Sequence, residues 1–440
     1  MHTLGELYAH YRRYPTVCTD TRNIPENSIF FALKGERFNG NAFAAEALES
    51  GARYAVIDEP EHQTDKRMLL VSDVLETLQA LAAHHRNQLH IPVIGVTGTN
   101  GKTTTKELLH AVLSRSYHTF ATKGNLNNHI GVPLSLLSIR EDSQLAIIEM
   151  GANHQGEIEA LCKIAQPTHG LITNIGKAHL EGFGSFEGVQ NAKGELYDYL
   201  ASHSGFLFIR GDNSLLQTMA AERGLLSHER ATDRMSYGLT EGNDVVGHLL
   251  DVEPLLRIQW HTAEDTTRRE APSQLTGAYN VENILAAISV GLHFDVSEAD
   301  IATAIATYIP SNNRSQISKS VTNTLIRDYY NANASSMAAA LDNLALLRGS
   351  TKVAILGDMF EMGDDTFDAH HVVVEQARRM PLARRIFVGK AFYEHRDSHD
   401  EFYETTAAAM LALAENPVRE ALVLLKASRG MAFEKLIDLL

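Results

Sequence analysis

The segment VIGVTGTNGKTTTKELL, Val93–Leu109, carries residues whose types and spacing suit one task, the holding of a phosphate chain. Gly98 and Gly101 let the backbone turn tightly and approach an anion with no Cβ in the way. Thr99 and Asn100 complete the loop. A helix expected from Thr103 onward would point free N–H groups and its positive dipole end at the same spot. Lys102 would then reach the β- and γ-phosphates, and Thr103 or Thr104 would ligate Mg²⁺. The strict pattern G-x-x-x-x-G-K-[ST] asks for glycine where Val96 stands, so the assignment rests on the apolar strand before the loop and the helix after it.

Other positions could complete such a site. Glu149 ends the apolar run LAIIE, where a parallel sheet places its ligands, and a carboxylate there can hold a hard cation. His179 follows the next strand candidate, though a lone histidine is more often a core or surface residue. Lys193, in NAKGELY, reads on its own as a surface lysine. Asn280 and Asn283 stand three apart on one helix face, able to read a base edge, with helix capping the stronger reading from position alone. The pairs His84–His85 and His370–His371 have the wrong spacing for metal binding on one helical face and read as solvated side chains.

These residues need a frame to position them. Short β-branched runs at Pro92–Thr97, Leu145–Met150, Gly170–Asn174, Gly205–Ile209, Lys352–Leu356, Arg385–Val388 and Ala421–Leu425 alternate with helical patterns. That alternation predicts parallel sheets covered by helices, an α/β class. An earlier segment has its own strand signals, Ser28–Leu33 and Arg53–Ile57, and ends in the helical run Val74–Asn87. A polar cluster with Pro310 interrupts the pattern near Tyr308–Asn313. Three domains are expected, at 1–88, 89–309 and 310–440. The formal charge of −15 argues against a general nucleic-acid binder. No run of about 18 apolar residues predicts a membrane span. Cys18 and Cys162 suggest no disulfide framework, so free thiols in the cytoplasm are the simpler reading.

TGTNGKTTTKE, EMGANHQGEIEAL, TNIGKAHLEGFGS, NAKGELY, YNVENILAA, RDYYNANASSMAAAL and ILGDMFEMG occur in that order, and together they resemble the Mur ligases of bacterial cell-wall synthesis over essentially the whole chain. The resemblance implies a small N-terminal α/β domain for the uridine nucleotide, a central P-loop-type domain for ATP, and a Rossmann-like C-terminal domain that closes over the incoming amine. It places Asp20, Thr21 and Arg22 of the TDTR motif, and Asn125, Asn127 and Asn128, on the muramoyl substrate side, with Asn331 and Asn333 of YNAN also facing substrate. Lys102 and Thr103 would hold phosphates and Mg²⁺, with Glu149 and His179 at a second Mg²⁺. Lys193 matches a position that relatives carry carbamylated, Asn280 and Asn283 the adenine-side motif, and Arg314 and Asp328 the pair that approaches the nucleotide on closure. Asn313 stands where the family generally has glycine.

The chemistry implied is carboxylate activation by ATP through an acyl phosphate, in peptidoglycan precursor synthesis. The YNAN and GDM-x-E-MG segments favour the branch that adds D-alanyl-D-alanine to UDP-MurNAc-tripeptide, acting as a monomer. A sibling that adds a single amino acid, or one that adds glutamate to folate, is the alternative.

Overall fold

The computed structural model describes residues 1–176, 180–349 and 351–440. Its strands form three main sheets in chain order. The first is wholly parallel and runs β1 (Val17–Cys18), β2 (Ile29–Phe31), β3 (Tyr54–Ile57), β4 (Met68–Leu70). Helix α1 (Val74–Gln88) follows, capped by Asp73, whose carboxylate accepts the Glu76 N–H.

The central sheet has nine strands: β5 (Val93–Thr97), β6 (Thr119–Ala121), β7 (Leu145–Glu149), β8 (His169–Ile172), β9 (Phe206–Arg210), β10 (Arg234–Gly238), β11 (Val245–Asp251), β12 (Arg257–Thr262) and β13 (Arg269–Pro272), in the spatial order β13-β12-β11-β10-β9-β8-β5-β7-β6. All neighbours are parallel except β11–β12 and β12–β13, an antiparallel extension that the sequence pattern did not announce. Along β7, Ala146 and Ile148 enter one core while Leu145 and Ile147 enter the other, so the strand is apolar throughout because both its faces are covered. Helices α2 (Lys102–Leu113), α3 (Glu157–Ala165), α4 (Phe186–Ser202) and α5 (Asn280–His293) supply the covering. The chain leaves β5 towards β7 and β6 on one side and returns to β8 on the other. The carboxyl end of β5 is therefore a topological switch point, where open α/β sheets bind ligands.

The third sheet comprises β14 (Gln316–Lys319), β15 (Thr324–Asp328), β16 (Lys352–Gly357), β17 (Arg384–Val388), β18 (Glu401–Tyr403) and β19 (Leu422–Lys426), ordered β14-β15-β19-β16-β17-β18, with only β14 antiparallel. Helix α6 (Ala334–Leu346) follows β15. Among the described residues no helix is long and apolar enough to cross a membrane, and Cys18 and Cys162 are unpaired.

The seams between the sheets differ. One apolar core runs through the first sheet and the near face of the central one, joining Leu78 and Leu81 to Ile148 and Leu161. Arg86 seals it: its buried guanidinium donates to the carbonyls of Ala165 (2.9 Å), Gln166 (3.0 Å) and Leu89 (2.7 Å). The third sheet keeps two apolar cores of its own. His85 and His370 correct the solvated reading of the histidine pairs. His85 is buried between the hydroxyls of Tyr8 (3.2 Å) and Tyr11 (3.3 Å), and His370 is fully buried and takes the Met359 N–H at 3.0 Å. Each sits on the inward side of its helix, where packing rather than solvent satisfies the ring. Arg86→Met should lower stability by about 2–4 kcal/mol, because three charge-assisted bonds vanish and buried carbonyls lose their donor. Chemical denaturation followed by circular dichroism measures it.

Candidate active site

Strand β5 delivers its loop to the switch point. Gly98 has φ 141° and a Cβ there would lie 2.1 Å from Thr173 Oγ1; Gly101 has φ 78° and a Cβ there would lie 2.7 Å from Asn283 Oδ1. Only glycine fits both positions. The segment after β8 braces the loop, since Asn174 accepts the N–H groups of Thr99 (2.9 Å, backbone O) and Asn100 (3.0 Å, Oδ1), and Thr173 donates to the Asn100 carbonyl at 2.6 Å. Helix α2 begins at Lys102, so its first N–H groups have no intrahelical acceptor and open towards an anion. The Lys102 amine lies folded over the loop, donating to the carbonyls of Gly98 (2.6 Å) and Thr99 (3.0 Å). Burial, opposed by the nearby Glu149 charge and reinforced by repulsion from Arg314, pulls this amine down to about 8.

Glu149 is not a solvated strand end. It is 1% exposed and accepts from Thr103 Oγ1 (3.3 Å) and Asn127 Nδ2 (2.9 Å), with the Lys106 amine 3.8 Å away. Its Oε2 is buried without a hydrogen-bond partner. A buried carboxylate oxygen without a hydrogen-bond partner, on a group that also holds the Thr103 hydroxyl, fits a hard cation that prefers oxygen ligands.

The third sheet brings its own groups to the same place. Asp328 ends β15 and pairs at 2.9 Å with buried Lys426, which ends the adjacent β19. Arg314 lies 3.9 Å and Arg429 5.3 Å from the Tyr330 ring centroid, two guanidiniums on one aromatic platform. Asn313 adopts φ 57°, a left-handed turn that asparagine tolerates where glycine is usual, so Arg314 is still delivered to the site. Asn333 caps α6 through the Ser336 N–H (2.9 Å) and donates to Asn100 Oδ1 (2.9 Å), while Asn100 donates to Ser335 Oγ (2.9 Å). The phosphate loop and the third sheet are thus latched by side-chain amides. Between them lies a cavity of about 720 Å³, walled by the loop, Glu149, Asn283, Asp328, Tyr330 and Lys426 among others.

Three family models match the chain in succession: Mur ligase family, catalytic domain, at residues 13–87; Mur ligase middle domain at 96–291; and Mur ligase, glutamate ligase domain, at 313–434. The UDP-N-acetylmuramoyl-tripeptide–D-alanyl-D-alanine ligase of Bacillus subtilis is 34% identical over 449 residues, covering 96% of this chain and 92% of that protein. The chain belongs to the Mur ligase family. The Escherichia coli ligase of the same name is also 34% identical, with 98% and 95% covered. The crystal structure of MurF from Acinetobacter baumannii superposes with a TM-score of 0.84 at 33% identity, covering 96% of this chain and 92% of that one.

In this Mur ligase the cavity gathers Thr99, Asn100, Gly101, Lys102, Thr104, Asn125, Asn127, Asn128, Glu149, Asn280, Asn283, Arg314, Asp328, Asn331 and Asn333 in its wall. Gly98 and Thr103 are not in that wall, though Thr103 reaches the wall residue Glu149 through its hydroxyl. Asn280 and Asn283 are tied to the frame as well as facing the cavity: Asn280 donates to the Thr276 carbonyl (2.7 Å), and Asn283 donates to Asn280 Oδ1 (2.8 Å) and accepts from Thr105 (3.0 Å). Asn128 caps a local turn through the Gly131 N–H (2.8 Å), and only Asn127 turns towards Glu149. Asp20, Thr21 and Arg22 are not brought there. They sit on a turn beside β1, where Asp20 and Arg22 pair with each other at 2.7 Å. His179 lies outside the described residues.

Lys193 corrects the surface reading. It is 2% exposed on α4, donates to the Ala152 carbonyl at 3.3 Å, and lies 5.1 Å from the Phe183 ring centroid. Burial, with repulsion from Lys102, pulls its amine down to about 7, so the inward face of α4 holds an amine that is readily neutral. Sequence reasoning missed Asn174, Tyr330, Lys426 and Arg429. The available signal was position: Lys426 closes a buried parallel strand at its carboxyl end, as Glu149 does. Asn333→Ala removes both the cap and the latch; α6 should lose about 1 kcal/mol, and amide exchange at 334–337 should accelerate, as read by hydrogen-exchange mass spectrometry.

Proposed function

We propose that this Mur ligase joins D-alanyl-D-alanine to UDP-MurNAc-tripeptide at the expense of ATP, in the cytoplasm, through domains at 1–88, 89–309 and 310–440. The observation that carries this reading is the convergence, in one cavity, of the Lys102 loop, the half-satisfied Glu149 carboxylate and the Asp328–Lys426 pair from the third sheet. The names of the Bacillus and Escherichia relatives, matched nearly end to end, support the choice of substrates.

The terminal carboxylate of the tripeptide attacks the γ-phosphorus of ATP, forming an acyl phosphate and ADP. The amine of D-alanyl-D-alanine then attacks the acyl carbon, and inorganic phosphate leaves. Lys102 and the N–H groups opening α2 hold the phosphate chain and stabilise charge on the transferred group. Thr103 and Glu149, with His179 and a carbamylated Lys193, would hold Mg²⁺, which when bound offsets the repulsion between two anionic reactants. Asn280 and Asn283 face the adenine side. Arg314 and Asp328 come to the nucleotide with the third sheet, and Asn125, Asn127, Asn128, Asn331 and Asn333 line the route of the peptide substrates. Asp20, Thr21 and Arg22, remote from the cavity, serve the uridine end of a long substrate. Docking of the third sheet excludes water that would hydrolyse the acyl phosphate.

Phosphate release from ATP should depend on UDP-MurNAc-tripeptide and D-alanyl-D-alanine together. Stimulation by a single amino acid, or by glutamate with a folate acceptor, and not by the dipeptide would refute the substrate assignment. A panel of acceptors with diaminopimelate- and lysine-containing tripeptides measures it.

The Lys193 amine is neutral in part near pH 7, the form that adds CO₂. Lys193→Ala should lower kcat by about 10²–10³-fold and recover partly with added short carboxylic acids. Full activity without rescue would remove the carbamate from the mechanism.

A further inference from the structure

The antiparallel extension of the central sheet takes no part in the reaction, yet it concentrates metal-ligating groups. Gly247 on β11 pairs with Trp260 on β12. A Cβ on Gly247 would lie 2.6 Å from Leu285 of α5, and Trp260 is fully buried in the core with Leu285. Side chains alternate along a strand, so the next residues, His248 and His261, share the opposite face. Their rings lie parallel, 15° apart in plane with centroids 5.6 Å apart.

His261 is 5% exposed, and its Nδ1 is buried without a hydrogen-bond partner, as is Nε2 of His248. The turn from β10 to β11 adds Glu241, whose carboxylate comes within 3.5 Å of His261 Nε2 while its side chain stays 74% exposed. One ligand atom from each of the three lies within 4.8 Å of the others, and among the described residues no other group of three or more His, Cys, Asp or Glu converges so closely.

We propose that His248, His261 and Glu241 form a binding site for a divalent transition metal of the zinc class, separate from the reaction cavity. Two imidazoles and one carboxylate suit zinc, whereas Mg²⁺ demands an octahedron of oxygens. Tetrahedral zinc sets its ligand atoms ~3.4 Å apart, given bonds of about 2.0–2.1 Å. The Glu241–His261 separation already meets that spacing, and the exposed Glu241 and half-buried His248 need only a small rotation. Water would take the fourth position. His261 meets Glu241 through Nε2, so that nitrogen would be its ligand atom, and the unpartnered Nε2 of His248 leaves a lone pair free for the same ion. A bound ion would pin the turn at residues 239–244 to the β11–β12 hairpin.

The full-length protein, stripped with EDTA and held in excess Mg²⁺ so that oxygen-ligand sites are filled, should be titrated with ZnCl₂ by calorimetry. Binding of one equivalent is expected, with a rise in melting temperature, and Co²⁺ should give the visible absorption of a tetrahedral ion. Glu241→Gln, at an exposed position, should fold normally and weaken binding by at least about tenfold. His248→Ala should abolish the Co²⁺ absorption. Failure of the wild type to bind zinc, or unchanged zinc binding and Co²⁺ absorption in His248→Ala, would overturn the site.

Discussion

A buried carboxylate with one oxygen unsatisfied organises this molecule. Glu149 ends a strand covered on both faces, so solvent does not balance its charge. The Thr103 hydroxyl, the Asn127 amide and the more distant Lys106 amine do so only in part. Everything that matters for phosphate chemistry lies within reach of that unfinished balance. The neighbouring loop, whose two glycines admit no side chain, presents N–H groups and Lys102. The lysines nearby pay the complementary cost: Lys193 is buried and Lys102 half-buried against the loop, and loss of solvation takes both amines well below the ordinary lysine range. Cations and anion are held apart by the frame, with room between them for ligands that carry both signs.

The frame that holds them is assembled with two kinds of seam. The first sheet is fused to the central one through a continuous apolar core and the Arg86 guanidinium. The third sheet meets the central domain through polar contacts: Asn333 and Ser335 on Asn100 of the loop, and Ser315 on Tyr279, which precedes α5, at 2.8 Å. The same asparagine that starts α6 also touches the phosphate loop. Asn333 thus couples the start of α6 to the phosphate loop, alongside contacts farther along the seam such as Asn343 on Thr276 and Arg348 on Glu253.

Most of the central frame was legible in the sequence because its strands are buried on both faces, and such strands read as unbroken apolar runs. The loop was legible because glycine spacing and the lysine have a narrow physical purpose. The antiparallel extension was not, since β11 to β13 mix polar and apolar residues as one-sided strands do. Lys193 and the two buried histidines were misread for a related reason. Burial of a polar residue depends on what packs against its helix, and helical spacing alone does not say which face turns inward. Lys426 and Arg429 were missed because their partners, Asp328 and Tyr330, lie about a hundred residues away in sequence and adjacent only in the sheet.

The unequal seams also bear on how the enzyme lets go. An apolar core opens only by exposing its whole area to water at once, whereas each amide contact between Asn100, Asn333 and Ser335 can be handed to a water molecule in turn. The polar seam of the third sheet can therefore exchange its contacts for water one at a time, whereas the other two sheets share a single apolar core. Opening of this seam then exposes polar groups that water can satisfy, so the third sheet can separate from the loop without uncovering a hydrophobic core.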